Sequence, residues 1–149
     1  MTLSTAPAHE IGNRSFAPDR YLFPAEQGGE IEVLGSQSNE TGSLFWPRRR
    51  RCPQTGGTVT DVRLATEGVL WSWTFVFVPW PGETPPNDGG VGYGVGLVDL
   101  DGAGPRVVAV LVGPGDTWRV GEPMRARELH YVTIDGVARS ILAFEAVRA

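Results

Sequence analysis

Residues 68–78 read Gly-Val-Leu-Trp-Ser-Trp-Thr-Phe-Val-Phe-Val. β-Branched and aromatic side chains, which suit a pleated, half-buried surface, fill this stretch. Successive side chains of a strand point to opposite faces, so the alternation places Val69, Trp71, Trp73, Phe75 and Phe77 on one face. Leu70, Val76 and Val78 keep the other face largely apolar. The expectation is a long, curved barrel strand, covered by other protein on part of its outer side.

Working outward toward the C-terminus, residues 79–90 (PWPGETPPNDGG) cannot be regular structure, because prolines remove backbone donors and glycines permit positive φ. Residues 91–100 follow as a strand with Gly92, Gly94 and Gly96 on one face. A turn at Asp101-Gly102-Ala103-Gly104 then leads into a strand over 106–112, and Asp-Gly between two apolar alternations is a hairpin signal. Residues 113–121 form a compact connection. Residues 122–132 and 140–147 read as two further strands around Asp135-Gly136. Five strands with unequal loops, the first long and bent, is the count of an OB-fold, a small partly open barrel.

Toward the N-terminus the pattern is less regular. Residues 58–64 alternate as a strand, and 30–34 read as another. A short helical turn is expected around Asp19 to Phe23, and the residues before about 13 offer little to bury. The chain divides on this reading into an N-terminal tail (1–20), a ribbon-like segment (21–57) and an OB-fold domain (58–149). It shows no internal repeat and no low-complexity tract. The fold class is mainly β.

Composition narrows the function classes. The 149 residues fit one modest domain, with a formal charge of -4 and a pI near 5.1. A dedicated nucleic-acid binder usually carries a clear basic excess. One cysteine excludes an intrachain disulfide, and the N-terminal residues lack the basic start and apolar run of a secretory signal. No apolar run approaches the roughly 20 residues of a membrane-spanning helix. The expected setting is the cytoplasm, with neither membrane nor nucleic acid as a partner.

The strongest break in composition is at 38–57 (SNETGSLFWPRRRRCPQTGG), which holds the one cysteine and four consecutive arginines. Ser38, Thr41, Cys52 and Thr55 stand at the ligand spacing of a small zinc ribbon, in which all four positions are commonly cysteine. A hydroxyl is a poor zinc ligand beside a thiolate, and one thiolate cannot supply the folding energy of a structural site. Zinc is therefore expected to be absent. Ser and Thr side chains are expected to bond nearby backbone amides instead, keeping the ribbon's shape.

The order of parts resembles a known family. A ribbon-spaced segment with L-F-W-P between its halves and C-P-x-x-G in the second is followed by G-x-L-W-S-W-T. Then come Y-G-V-G-L-V-D-L, P-R-V-V-A-V-L-V-G and R-V-G-E-P-M-R-A. Over roughly residues 21–147 this is similar to the zinc-ribbon plus OB-fold family of acyl-CoA-associated proteins, here with a degenerate, metal-free ribbon. Members are accessory subunits of thiolase-like enzymes, including aldolases that shorten steroid side chains. The resemblance implies a hetero-oligomer in which a thiolase-like or aldolase subunit performs the carbon–carbon bond chemistry. It also implies that this chain stabilises that subunit and helps hold coenzyme A.

Individual residues carry more than one reading. Arg48, Arg49, Arg50 and Arg51 suit phosphate, including that of coenzyme A, because the guanidinium fork donates in pairs; a solvated turn or a subunit interface is the plainer account. Trp71, Trp73, Phe75 and Phe77 are either barrel core or a stacking platform for single-stranded nucleic acid, although the strand lacks basic residues between them. Phe45, Trp46, Trp80 and Tyr93 are the candidate interface residues, since a rigid aromatic loses little entropy on docking. No catalytic residue is expected: His9 lies in the tail, His130 pairs with Glu128 on a strand surface, and Cys52 has no histidine near it in sequence. The alternatives to an accessory subunit are an OB-fold module for single-stranded nucleic acid and an acyl-CoA hydratase component.

Overall fold

The computed structural model describes residues 21–22, 31–77, 92–115, 117–132 and 138–147, which consist of strands, turns and connecting segments. The strands are β1 (Tyr21–Leu22), β2 (Glu32–Ser38), β3 (Leu44–Phe45), β4 (Val59–Leu64), β5 (Glu67–Val76), β6 (Tyr93–Leu100), β7 (Arg106–Val112), β8 (Pro123–Val132) and β9 (Ala138–Ala146). β5, β6, β7, β9 and β8 close, in that order, into a five-stranded barrel consistent with an OB-fold. The barrel strands fall where the sequence placed them, with boundaries shifted by a few residues.

Closure depends on one short parallel ladder. Four of the barrel pairings are antiparallel, whereas β7 meets β9 in parallel over Val110–Ala143, Leu111–Phe144 and Val112–Glu145. Phe144 sits at this seam, also opposite Ala126 of β8, and is fully buried. It packs in one apolar cluster with Leu70, Val98, Val107, Leu111, Trp118 and Met124. Each fully buried side chain of this kind contributes roughly 1.5–3 kcal/mol relative to exposure.

A smaller sheet precedes the barrel. β2 is its central strand, pairing with β1, β3 and β4, all antiparallel. Val33 and Leu34, on opposite faces of β2, and Leu64 all join the same apolar cluster as the barrel. The stretch expected as a helical turn is different here: Tyr21 and Leu22 pair with Val33 and Glu32 as strand, and the rest of that turn lies outside the described residues. Among the described residues no helix is long and apolar enough to cross a membrane.

The face assignment of 68–78 needs correction. The pairing of β5 with β6 slips between Leu70 and Ser72, leaving Trp71 as an extra residue without a register partner. A bulge of this kind inserts one residue and so reverses which face the following side chains occupy. Gly68 and Leu70 are buried before it, and Trp73 and Phe75 pack against the core after it. Val69 and Trp71 are left on the outer face, and Phe77, beyond the strand, is exposed.

Trp118 plugs one end of the barrel. It is 4% exposed, meets Trp73 edge to face at 5.4 Å, and donates its indole N–H to the carbonyl of Val112 at 3.2 Å. Its ring lies over Gly94, where an added Cβ would stand 2.5 Å from the indole. Gly94→Ala is therefore expected to destabilise the protein by about 1–3 kcal/mol through overpacking. Thermal unfolding checks the loss, and a shift in tryptophan emission checks that the plug has moved.

Candidate functional site

Three places on the molecule carry more chemistry than packing requires. The first is the ribbon. Ser38 ends β2, and its hydroxyl accepts the amide N–H groups of Glu40 and Thr41 at 3.3 and 3.2 Å. Thr41 Oγ1 accepts from the Ser43 amide and Thr55 Oγ1 from the Gly57 amide, at 3.2 and 3.1 Å. These are the hydroxyl-to-amide bonds expected from the sequence. Ser38, Thr41, Cys52 and Thr55 thus occupy two neighbouring turns, with Cys52 only 2% exposed.

The hydroxyls of Ser38 and Thr55 both bond the Cys52 thiol, and these two bonds outweigh desolvation to lower its pKa to about 7. Backbone bonds from Gln54 and Thr55 act in the same direction. Because the folded value lies below the unfolded one, the thiolate adds stability that is present above the unfolded pKa and is lost as pH falls through about 7. Thiolate ultraviolet absorbance of the folded chain is expected to titrate with a midpoint near that value. Cys52→Ser removes both the absorbance change and this part of the pH dependence.

The donor set does not fit zinc. A structural site needs four strong donors, commonly thiolate or imidazole, and only Cys52 is of that kind. Ser38 Oγ has both acceptor positions taken by backbone amides. Among the described residues no group of three or more His, Cys, Asp and Glu side chains is placed to hold a metal.

The arginine run does not act as one patch. Arg48 pairs with Asp61 at 3.1 Å, and Arg51 Nη1 donates to the Gly56 carbonyl at 3.1 Å. The backbone of Arg49 is tied to Ser36, whose hydroxyl accepts the Arg49 amide at 2.7 Å. Within the run, Arg49 and Arg50 have guanidinium groups outside any ion pair or hydrogen bond among the described residues, and both residues are exposed. Phe45 and Trp46 are half-buried, with Trp46 packed against the core.

The second place is a cavity of about 140 Å³ at the Trp118 end of the barrel. Phe75, Tyr93, Val110, Trp118 and Leu129 form its walls, with no charged side chain among them. Tyr93 was a candidate interface residue and stands here as a wall. Trp80, the other candidate from that loop, lies outside the described residues.

The third place was not anticipated from sequence. On the outer face of β5, β6 and β7, Trp71 is 50% exposed and carries the Arg106 guanidinium 3.7 Å above its ring. Arg106 is itself held by Asp99, Nε to Oδ1 at 2.6 Å and Nη2 to Oδ2 at 3.2 Å. The hydrogen bond from Arg106, more than its charge, keeps the Asp99 carboxyl below the usual carboxylate range. Val69 (41% exposed) stands opposite Asp99, and Val108 (54%) stands opposite Leu97. The result is a preordered aromatic and guanidinium pair, neutral in charge and bordered by exposed valines.

The same bulge separates the two tryptophans that sequence alternation had placed side by side. Trp71 is outside with Arg106, and Trp73 packs on Trp118. They do not form a continuous platform on which successive bases of a single strand would stack.

Residues 61–128 match the family model described as ChsH2, C-terminal OB-fold domain. A solved structure described as Ltp2-ChsH2(DUF35) aldolase is similar at a TM-score of 0.58 and 23% identity, over 77% of this chain and 84% of the other. A DUF35-family protein of unknown function from Sulfolobus solfataricus aligns at a TM-score of 0.49 and 16% identity, over 78% of this chain and 76% of that one. Among curated proteins, no sequence matches the chain. The ribbon at 38–57 lies outside the matched residues, so it is through the barrel that the chain is similar to the ChsH2 C-terminal OB-fold family, as its motif order had suggested.

Proposed function

We propose that this chain is a non-catalytic accessory subunit of a thiolase-like or aldolase complex that makes or breaks carbon–carbon bonds of acyl-CoA substrates, those of steroid side chains included. The observation that carries the reading is the outer barrel face: an exposed tryptophan, already stacked and tied down by Arg106 and Asp99, among exposed valines. Tryptophan and arginine are enriched among residues that dominate protein interfaces, and a side chain ordered in advance loses little entropy on docking. The neutrality of the Asp99–Arg106 pair suits a protein surface better than a polyanion. The likeness of the barrel to the ChsH2 OB-fold domain, and to a protein described as an Ltp2-ChsH2(DUF35) aldolase, supports an aldolase subunit as the occupant.

In this reading the partner supplies the reacting groups, and the barrel supplies a rigid scaffold. Arg49 and Arg50 are the arginines of the run left free for the phosphates of coenzyme A, while Arg48 and Arg51 hold the ribbon. Co-expression with a thiolase-like aldolase subunit tests the proposal. A heteromer that survives gel filtration, and acyl-CoA turnover only in that heteromer, is the expected result. A chain that elutes alone at every ratio, or that turns over acyl-CoA by itself, overturns it.

A further inference from the structure

The cavity beside Trp118 is not used in the accessory role. Packed interiors hold few voids larger than a water molecule, whereas this one measures about 140 Å³ and is partly open to solvent. Trp118, Gly92 and Gly94 are buried at its floor, Phe75 and Tyr93 stand half-buried as walls, and Gly113 and Gly115 are exposed at its rim. Phe75 meets Phe77 edge to face at 4.9 Å, and Phe77 is 69% exposed, so an aromatic ledge runs from the wall out into water. The glycines keep the space open. Gly92 has φ of 150° and Gly113 of 129°, where an L side chain is strained. A Cβ added at Gly92 would meet the Phe75 ring, and one at Gly115 would stand 3.0 Å from the same ring. Bare backbone facing aromatic rings lets an occupant lie against peptide groups and rings together.

The polar groups within reach are all neutral. Among the described lining residues Tyr93 has the one side-chain hydroxyl, the Trp118 N–H is committed to the Val112 carbonyl, and the rest is peptide backbone. A charged occupant would leave water without gaining a countercharge there. We propose that this cavity is a binding site for a small, uncharged aromatic molecule of one or two fused rings that carries a hydroxyl or N–H at its edge. A cavity of about 150 Å³ between apolar side chains takes benzene, which sets the scale of the occupant. Phe75 and Trp118 offer a flat ring offset or edge-on contact, and the Tyr93 hydroxyl and the peptide groups of the rim pair its polar edge. The site lies apart from the Trp71 face, and the inference does not depend on the barrel's partner.

The test titrates the isotope-labelled full chain with p-cresol and with indole and follows it by NMR. Saturable shifts of the Trp118 Nε1–H and of the amides of Gly94, Gly113 and Gly115 are expected, with a Kd on the order of 1 mM or tighter. p-Hydroxybenzoate, in which a carboxylate replaces the methyl of p-cresol, is expected to bind at least about tenfold more weakly. Gly115→Leu, which fills the space from the rim, is expected to weaken indole binding about tenfold or more and to abolish the rise in unfolding midpoint that indole gives the natural chain. Val110→Phe fills the cavity from a half-buried wall and decides the matter should the rim variant not fold. No saturable shift in the natural chain, shifts spread over the whole barrel, equal binding of the charged analogue, or undiminished binding in a folded filling variant overturns the proposal. N-acetyltryptophanamide is expected to bind no better than indole; much tighter binding would make the occupant a side chain of another protein and overturn the small-molecule site.

Discussion

Phe144→Ala is expected to lower the unfolding free energy by about 3–5 kcal/mol, a fifth or more of the roughly 5–15 kcal/mol that a domain of this kind possesses. Among the described residues Phe144 is the largest fully buried side chain, and it stands where β9 is held between β7 and β8. Truncation removes its apolar burial and leaves a void at the seam, which is only three residue pairs long on the β7 side. The surroundings cannot collapse freely into that space, because the neighbouring strands are fixed by their own ladders. Urea denaturation measures the loss, with Val108→Ala on the outer face as a control expected to stay within about 0.5 kcal/mol. A loss below about 1 kcal/mol for Phe144→Ala would show that the seam does not hold the barrel closed.

Trp71→Ala is expected to weaken association with the proposed aldolase-type subunit by about 2–4 kcal/mol, or roughly 30- to 1,000-fold in Kd, while leaving the chain's own unfolding nearly unchanged. The asymmetry follows from exposure. Half of the Trp71 surface is already in water, so little burial is lost on truncation in the free chain. In a complex the same ring becomes buried, and its partner Arg106 loses the surface on which it stacks. Arg106→Ala is expected to weaken binding less than Trp71→Ala, since the tryptophan brings the larger apolar area. Titration calorimetry of the purified subunits gives both values. Unchanged affinity for Trp71→Ala in a complex that still forms would move the interface to another face and leave the accessory role standing.

Much of this architecture was legible before any coordinates. The strands from β5 onward announce themselves because each has apolar alternation bounded by Gly, Pro or Asp-Gly, and alternation reports burial of one face. Gly92, Gly94 and Gly96 read correctly as one face, and that face is buried under Leu70, Leu111 and Trp118. The spacing of Ser38, Thr41, Cys52 and Thr55 was equally plain.

The exposed Trp71–Arg106 face was not legible, because it depends on a single extra residue. Nothing in the alternation of 68–78 distinguishes Trp71 from Trp73; the slip arises from how β5 meets β6, a neighbour many residues away. Likewise the dispersal of four adjacent arginines into separate roles depends on Asp61 and Gly56, which reach them only through folding.

The sequence by itself determined that the chain is a β-protein with a five-stranded barrel behind a ribbon poor in metal ligands, because these are local matters of side-chain period, turn residues and ligand chemistry. Tertiary structure alone decided which tryptophan faces water, which strand closes the barrel and which hydroxyls meet the thiol. Those outcomes rest on contacts between distant segments, and a one-residue change of register reverses the face of every side chain that follows.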